Sequence, residues 1–170
     1  NRTLEFVSDE VRRASIIAKT ETEITSTQVP TGARAVLAFQ IPNPNSPGQI
    51  LPNQIVYYTK DPENSLTGPR VLWRYGPNLD ANGNYDITSS WQHSPVTDRL
   101  AATANNPNCP TGFTRIPADT VDGFFTCIRA GGGQVILNAN AQVEMTTVTN
   151  GNRDKVNYSL STRVSPRATN

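Results

Sequence analysis

The chain lacks most of what would mark a familiar kind of enzyme. Its 170 residues include one histidine, one methionine and two cysteines. With no Cys-x-x-Cys pair and the lone His93, a zinc site has no ligand set. No Gly-x-Ser-x-Gly turn is present to lift a nucleophilic serine. No run of eighteen apolar residues offers a spanning helix, and no signal-peptide pattern is visible. Charge is scarce as well: charged residues make up 17% and the formal net charge is +1. Arg12-Arg13 is the densest basic point, so electrostatics do not point to nucleic acid as the primary ligand. DNA contact would have to come from an assembly or a local patch. No long period recurs, which excludes a solenoid or propeller.

Neutral polar residues fill the gap. Hydrophobic content is only 36%, and Asn, Thr, Ser, Pro and Gly take the remaining places. Such a chain stays soluble without charge, a habit of exported, loop-rich β proteins. Its length suits a single domain with one core, residues 1–170. In that setting Cys109 and Cys127 read as a disulfide, with two unlinked thiols as the competing reading. Closing a loop of that size stabilises a fold by about 3 kcal/mol in the chain-entropy description.

Along the chain, Leu4, Val7, Val11, Ala14 and Ala18, with Ile17 beside the last, follow the spacing of one helical face. Glu5, Asp9, Glu10, Arg12 and Arg13 fall opposite, as a solvated face. The spacing predicts a helix over 3–19, the first part of a unit whose remainder, 20–170, is rich in strands. This helix opens with no initiator Met, and only Asn1 or Thr3 could cap it. The expectation is therefore that an upstream part of a longer helix has been removed. Residues 23–29 read as a strand or extended link. Strands are expected at 34–41, 54–59, 70–75, 123–129, 134–137, 142–148 and 156–164. Four prolines and a glycine make 42–52 a loop, and Asn150-Gly151-Asn152 reads as a hairpin turn. The middle, 76–122, is Pro- and Gly-punctuated and reads as a long irregular region pinned by the disulfide. Residues 165–170 are expected to fray. The fold class expected is α+β, one N-terminal amphipathic helix packed on an antiparallel sheet.

Residues 4–14, Leu-Glu-Phe-Val-Ser-Asp-Glu-Val-Arg-Arg-Ala, resemble the latter half of the N-terminal helix of type IV pilins and type II secretion pseudopilins. The runs Gln54-Ile-Val-Tyr-Tyr58 and Val71-Leu-Trp-Arg-Tyr75 are similar to the minor-pilin group of GspJ and PilW type. Leu72 to Pro77 with Asp80 to Asp86 looks like its cyanobacterial members, including pseudopilins linked to polysaccharide secretion. The resemblance implies a pilin-like fold and a structural, non-enzymatic subunit that assembles into or primes a pilus. It implies a membrane anchor in the missing N-terminal segment. The partners it implies are other pilins and the inner-membrane assembly machinery, with the isolated head monomeric. It places the protein at the cell surface, held in the inner membrane before assembly. Within it, Leu4, Val7, Val11, Ala14 and Ile17 would pack on the sheet against Val36, Leu37, Phe39, Val143, Met145 and Leu160. Burying each large aliphatic side chain there contributes about 1.5–3 kcal/mol.

Few residues stand out for chemistry, and none is assigned a catalytic role. Asp80, Asn82, Asn84 and Asp86 alternate oxygen side chains as the first half of a calcium loop does, although Gly83 is misplaced for an EF-hand and a plain turn competes. His93 has Ser90, Ser94 and Asp98 nearby, but sequence neighbours rarely make a triad. Asp119 with Asp122, or Asp61 with Glu63, are the pairs a glycosidase would need, against the reading of solvated loop acids. Gly131-Gly132-Gly133 lacks the Lys-Ser/Thr and helix of a phosphate cradle and reads as a turn. Trp73 is expected in the core, while Tyr85 and Trp91 are the candidates for exposed contact with a glycan or a neighbouring subunit. The alternatives to a pilus subunit are a carbohydrate-binding, adhesin-type β domain and an exported hydrolase.

Overall fold

A curled antiparallel sheet dominates the molecule, and one short helix lies in its hollow. The structure, a computed structural model, describes residues 2–63, 66–104, 106–149 and 152–166, with backbone alone at 26, 142–149 and 152–158. Strand accounts for 42% of the chain and helix for 11%. The helix α1 is Arg2–Arg12, followed by β1 (Ile16–Ile17), β2 (Arg34–Gln40), β3 (Ile55–Lys60) and β4 (Arg70–Gly76). Then come β5 (Asn78–Leu79), β6 (Tyr85–Asp86), β7 (Gln92–Leu100), β8 (Phe113–Ile116), β9 (Phe124–Arg129), β10 (Val135–Thr149) and β11 (Asn152–Val164). The sheet runs β1-β2-β3-β4-β7-β10-β9-β8, with β11 also paired to β10, while β5 and β6 form a separate hairpin.

The curl has a visible cause in β10, which serves two neighbours in succession. Its first residues pair with β9 from Val135↔Ile128 to Ala139↔Phe124, and Ala141 then pairs with Leu100 at the end of β7. Three backbones meet where the partner changes. Gly123 N–H donates to Ala101 O at 2.8 Å, Asn140 N–H to Gly123 O at 2.6 Å, and Ala101 N–H to Asn140 O at 2.8 Å. Only a glycine fits there, because an added Cβ would sit 2.5 Å from Ala101 N. The sheet bends until β9 reaches β2, where Thr126 Oγ1 donates to Val36 O at 2.6 Å. This half-barrel explains why β2 reads as an unbroken apolar run, since its central residues are buried on both faces. Leu4, Val7 and Val11 share one core cluster with Leu37, Phe39, Ile55, Leu72, Leu100, Val135, Leu137 and Val164.

The expected α+β class is overturned by this strand content. The segment read as irregular holds four strands, β5 to β8, and the separate strands expected at 134–137 and 142–148 are one. Proline and glycine counts misled there: Pro95 lies within β7, opposite Trp73. The helix also ends at Arg12 rather than at residue 19. After it, Ser15 N–H donates to Gln40 O at 2.8 Å and Ala18 N–H to Ala38 O at 2.9 Å, so the chain leaves as an edge strand along β2. Apolar residues at 14, 17 and 18 suit that path as well as a helix, and β-branched Ile16-Ile17 favours it. Ala14 and Ile17 are buried, but from the turn and from β1. In place of the strand or extended link expected at 23–29, the chain forms two 3-10 turns, Glu21–Glu23 and Ser26–Gln28. Leu160, expected beneath the helix, is 44% exposed on β11. Val143 and Met145 have side chains outside the described residues, as does the turn at 150–151 and the end at 167–170.

Candidate functional site

The most concentrated chemistry lies under α1, at a residue the helical pattern assigned to solvent. Glu10 is 2% exposed. It follows Val7 by three positions and precedes Val11 by one, which brings it round to the sheet side. Beneath it, β3 and β4 point Tyr57 and Arg74 into the hollow, since these two are register partners and share a face. Arg74 grips the carboxylate in two places, Nε to Oε1 at 2.6 Å and Nη2 to Oε2 at 2.8 Å. Tyr57 Oη donates a short hydrogen bond to Oε1. Tyr85 Oη, from β6, donates to Oε2 at 2.8 Å.

Four donors thus occupy the four acceptor positions of one carboxylate. The remaining Arg74 nitrogen donates to Pro77 O at 3.0 Å. That path exists because residue 76 is glycine, as a Cβ there would sit 2.9 Å from Arg74 Cζ. Arg13 closes the rim, its guanidinium 5.1 Å from the Tyr85 ring centre and its Nη1 donating to Gly83 O at 2.6 Å. Burial, then the charge of Glu10, push the Tyr57 and Tyr85 phenols well up. Burial alone would lower the Arg74 guanidinium, but the hydrogen bonds and charge of Glu10 turn the shift upward. A carboxylate with every lone pair engaged has none to offer a substrate proton or a cation. This is a clamp.

A second buried acid fastens the other end of the same strands. Asp122, 1% exposed, accepts from Thr59 Oγ1 at 2.6 Å, Arg70 Nε at 2.9 Å and Arg34 Nη1 at 3.2 Å through Oδ2. Arg70 continues to Asp61 Oδ1 at 2.9 Å and to Thr59 O at 3.0 Å. Neither glycosidase pair is assembled, because Asp122 is a buried ion-pair partner, and Glu63 accepts from Lys60 Nζ at 2.7 Å.

The other candidates fall as follows. Cys109 and Cys127 form a disulfide that ties the loop before β8 to β9, with Val121, Phe125 and Ile136 packed in a small cluster around it. In the calcium-like run, Asp80 Oδ1 accepts from Asn82 N–H at 2.8 Å and Asn84 N–H at 3.0 Å, closing its own turn. Asp86 turns the other way, accepting from Thr88 Oγ1 at 2.5 Å and Ser89 Oγ at 3.1 Å. Those hydrogen bonds hold the Asp86 carboxyl below its usual range. The two carboxylates therefore serve separate turns. His93 Nδ1 lies 2.9 Å from Tyr58 Oη, while Asp98 accepts from Thr67 N–H at 2.8 Å. Tyr85, expected to be exposed, is half-buried by its part in the Glu10 clamp. Trp91 is half-buried too, its ring centre 5.7 Å from that of Tyr75.

The sequence reading missed Glu10, Tyr57, Arg70 and Arg74. A signal was present: in Arg70-Val-Leu-Trp-Arg-Tyr75 the arginines share a face with Leu72 while Val71, Trp73 and Tyr75 fill the other. Arginine on a face of a strand that is apolar on both sides calls for a buried acid. Compared with known proteins, the chain matches no family model, no curated protein and no solved structure.

Proposed function

We propose that the chain is a non-enzymatic structural subunit of a type IV pilus or pseudopilus, held in the assembly through its N-terminal helix. The resemblance at residues 4–14, 54–58 and 71–86 supports this reading. The expectation of an α+β fold does not enter it. The observation that carries it is the seat of α1. Leu4, Val7 and Val11 are buried in the hollow of the sheet, and Glu10 is tied to three different strands by Tyr57, Arg74 and Tyr85. A helix fixed by both an apolar stripe and a charged clamp moves with its head as one body. Such a joint passes a pull on the helix to the head, as a filament under tension requires. The partners in this reading are other pilins and the inner-membrane assembly machinery, and the place is the cell surface.

The test uses the full-length gene product in its native host, with a photo-crosslinker at the exposed position Ile16. Co-fractionation with sheared surface filaments and crosslinks to other pilins are the expected results. A protein found only free of filaments, with no pilin crosslink, would overturn the proposal.

A further inference from the structure

Away from the clamp, a cavity of about 290 Å³ opens between the link that follows β1 and the start of β3. Thr25, Thr27 and Gln28 form one side, Asn53 and Gln54 another, and Tyr75 of β4 completes it. No lining residue carries a charge. Besides Pro52 and Val56, the walls are amides and hydroxyls around an aromatic ring. Gln54 is held in place, its Oε1 accepting from Thr25 N–H at 2.8 Å and its Nε2 donating to Glu23 O at 3.0 Å. That leaves one amide hydrogen and one lone pair on a preorganised group. The Tyr75 ring packs against Trp91, 5.7 Å away, and His93, 4.7 Å away, so an aromatic surface continues beyond the cavity. Among the described residues, neither Tyr75 Oη nor Trp91 Nε1 makes a hydrogen bond within the protein.

We infer that this cavity is a binding site for a neutral saccharide. A sugar ring presents an apolar C–H face and a rim of hydroxyls that both donate and accept. The first matches an aromatic surface, and the second matches primary amides and threonine hydroxyls. The absence of charge from the walls disfavours phosphorylated, sulfated or acidic ligands, whose charge would go uncompensated. The volume is at the small end for ligand sites and suits one ring of a chain whose next ring rests on Trp91. The site sits outside the α1 joint, so this inference does not depend on the pilus reading.

Titration of the full chain with a panel of neutral oligosaccharides (β- and α-glucans, xylan and mannan fragments), read by tryptophan fluorescence and by chemical-shift mapping, tests it. A sulfated oligosaccharide and a proline-rich peptide serve as comparison ligands. Saturable binding of at least one neutral oligosaccharide is expected, with shifts at Asn53, Gln54 and Tyr75. Trp91→Ala and Asn53→Ala should each weaken it by about tenfold or more while the melting temperature stays near that of the parent. Tyr75→Ala should abolish it, and if that variant fails to fold, the other two carry the test. No neutral oligosaccharide binding at millimolar concentration would overturn the inference. So would binding untouched by Trp91→Ala and Asn53→Ala, or preference for the sulfated ligand or the peptide.

Discussion

Replacing Glu10 with alanine should be among the most damaging single changes in the molecule, more so than its place on a charged helix suggests. The substitution leaves the Arg74 guanidinium, 7% exposed at its side chain, with only Pro77 O as a partner. It also strips the acceptor from the hydroxyls of Tyr57 and Tyr85. Breaking a buried, hydrogen-bonded ion pair from one side costs about 3–5 kcal/mol. In a domain of this size each kcal/mol moves the midpoint by about 2–4 °C, so a fall of about 10 °C is expected. Glu10→Gln keeps the shape but sets an amide N–H₂ against Arg74 or Tyr85 donors, so it should recover little. Removing both partners, Glu10→Leu with Arg74→Met, should cost much less than the two single changes added together. Urea or thermal unfolding of the four proteins in this cycle measures the coupling. A loss below about 1 kcal/mol for Glu10→Ala, or no coupling in the cycle, would show that the clamp does not hold the helix.

Gly123→Ala should destabilise by about 3 kcal/mol, seen as a lowered unfolding midpoint, because the new Cβ meets the backbone of Ala101 and Asn140 where β10 changes partner. Reducing Cys109–Cys127, with a sequence separation of 18, should lower stability by about 3 kcal/mol, measured as a midpoint shift with and without reductant. Burial, then the charge of Glu63, push the Tyr58 phenol from 10.0 up to about 12. The fold therefore holds its neutral form. That contribution is complete below pH 10.0 and is lost as pH rises towards about 12, a decline that Tyr58→Phe should flatten in alkaline unfolding curves. For His93, burial and then the nearby Lys60 lower the imidazole from 6.5. The neutral ring is favoured, so its contribution is present above pH 6.5 and lost as pH falls through the lowered value. As this is the sole histidine, its ring resonances should titrate with a midpoint below 6.5, and a midpoint above 6.5 would contradict the packing against Tyr58 and Tyr75.

Local pattern was sufficient where each residue's neighbours in the chain are also its neighbours in space. The strands β2, β3, β4 and β9 lie within a residue or two of where β-branched and aromatic runs place them. The inward stripe Leu4, Val7 and Val11 is likewise legible from helical spacing alone. Spacing could not tell a helix that stops at Arg12 from one that continues, because residues 14–18 satisfy a helix face and an edge strand equally. The choice falls to hydrogen bonds offered by Gln40 and Ala38, which lie twenty or more positions away in the chain.

The candidate sites divide in the same way. Composition alone set a zinc centre behind a disulfide, since the sequence has one histidine and no Cys-x-x-Cys pair. It also brought forward Cys109 and Cys127, whose thiols the fold joins. The roles of Glu10 and Asp122 belong to the tertiary structure. A charged side chain looks the same in sequence whether water or an arginine surrounds it. Only the closing of the half-barrel brings Arg74, Tyr57 and Tyr85 onto one carboxylate and Arg34, Thr59 and Arg70 onto another. Tyr75 and Trp91 were visible as aromatics, yet the placing of Tyr75 beside Asn53 and Gln54 follows from the pairing that sets Val56 opposite it, and Trp91 packs on that ring from outside the cavity. Short-range physics determined which segments become strands and which face of the helix is apolar. Burial, which depends on what the rest of the chain brings alongside, decided which charges became structure.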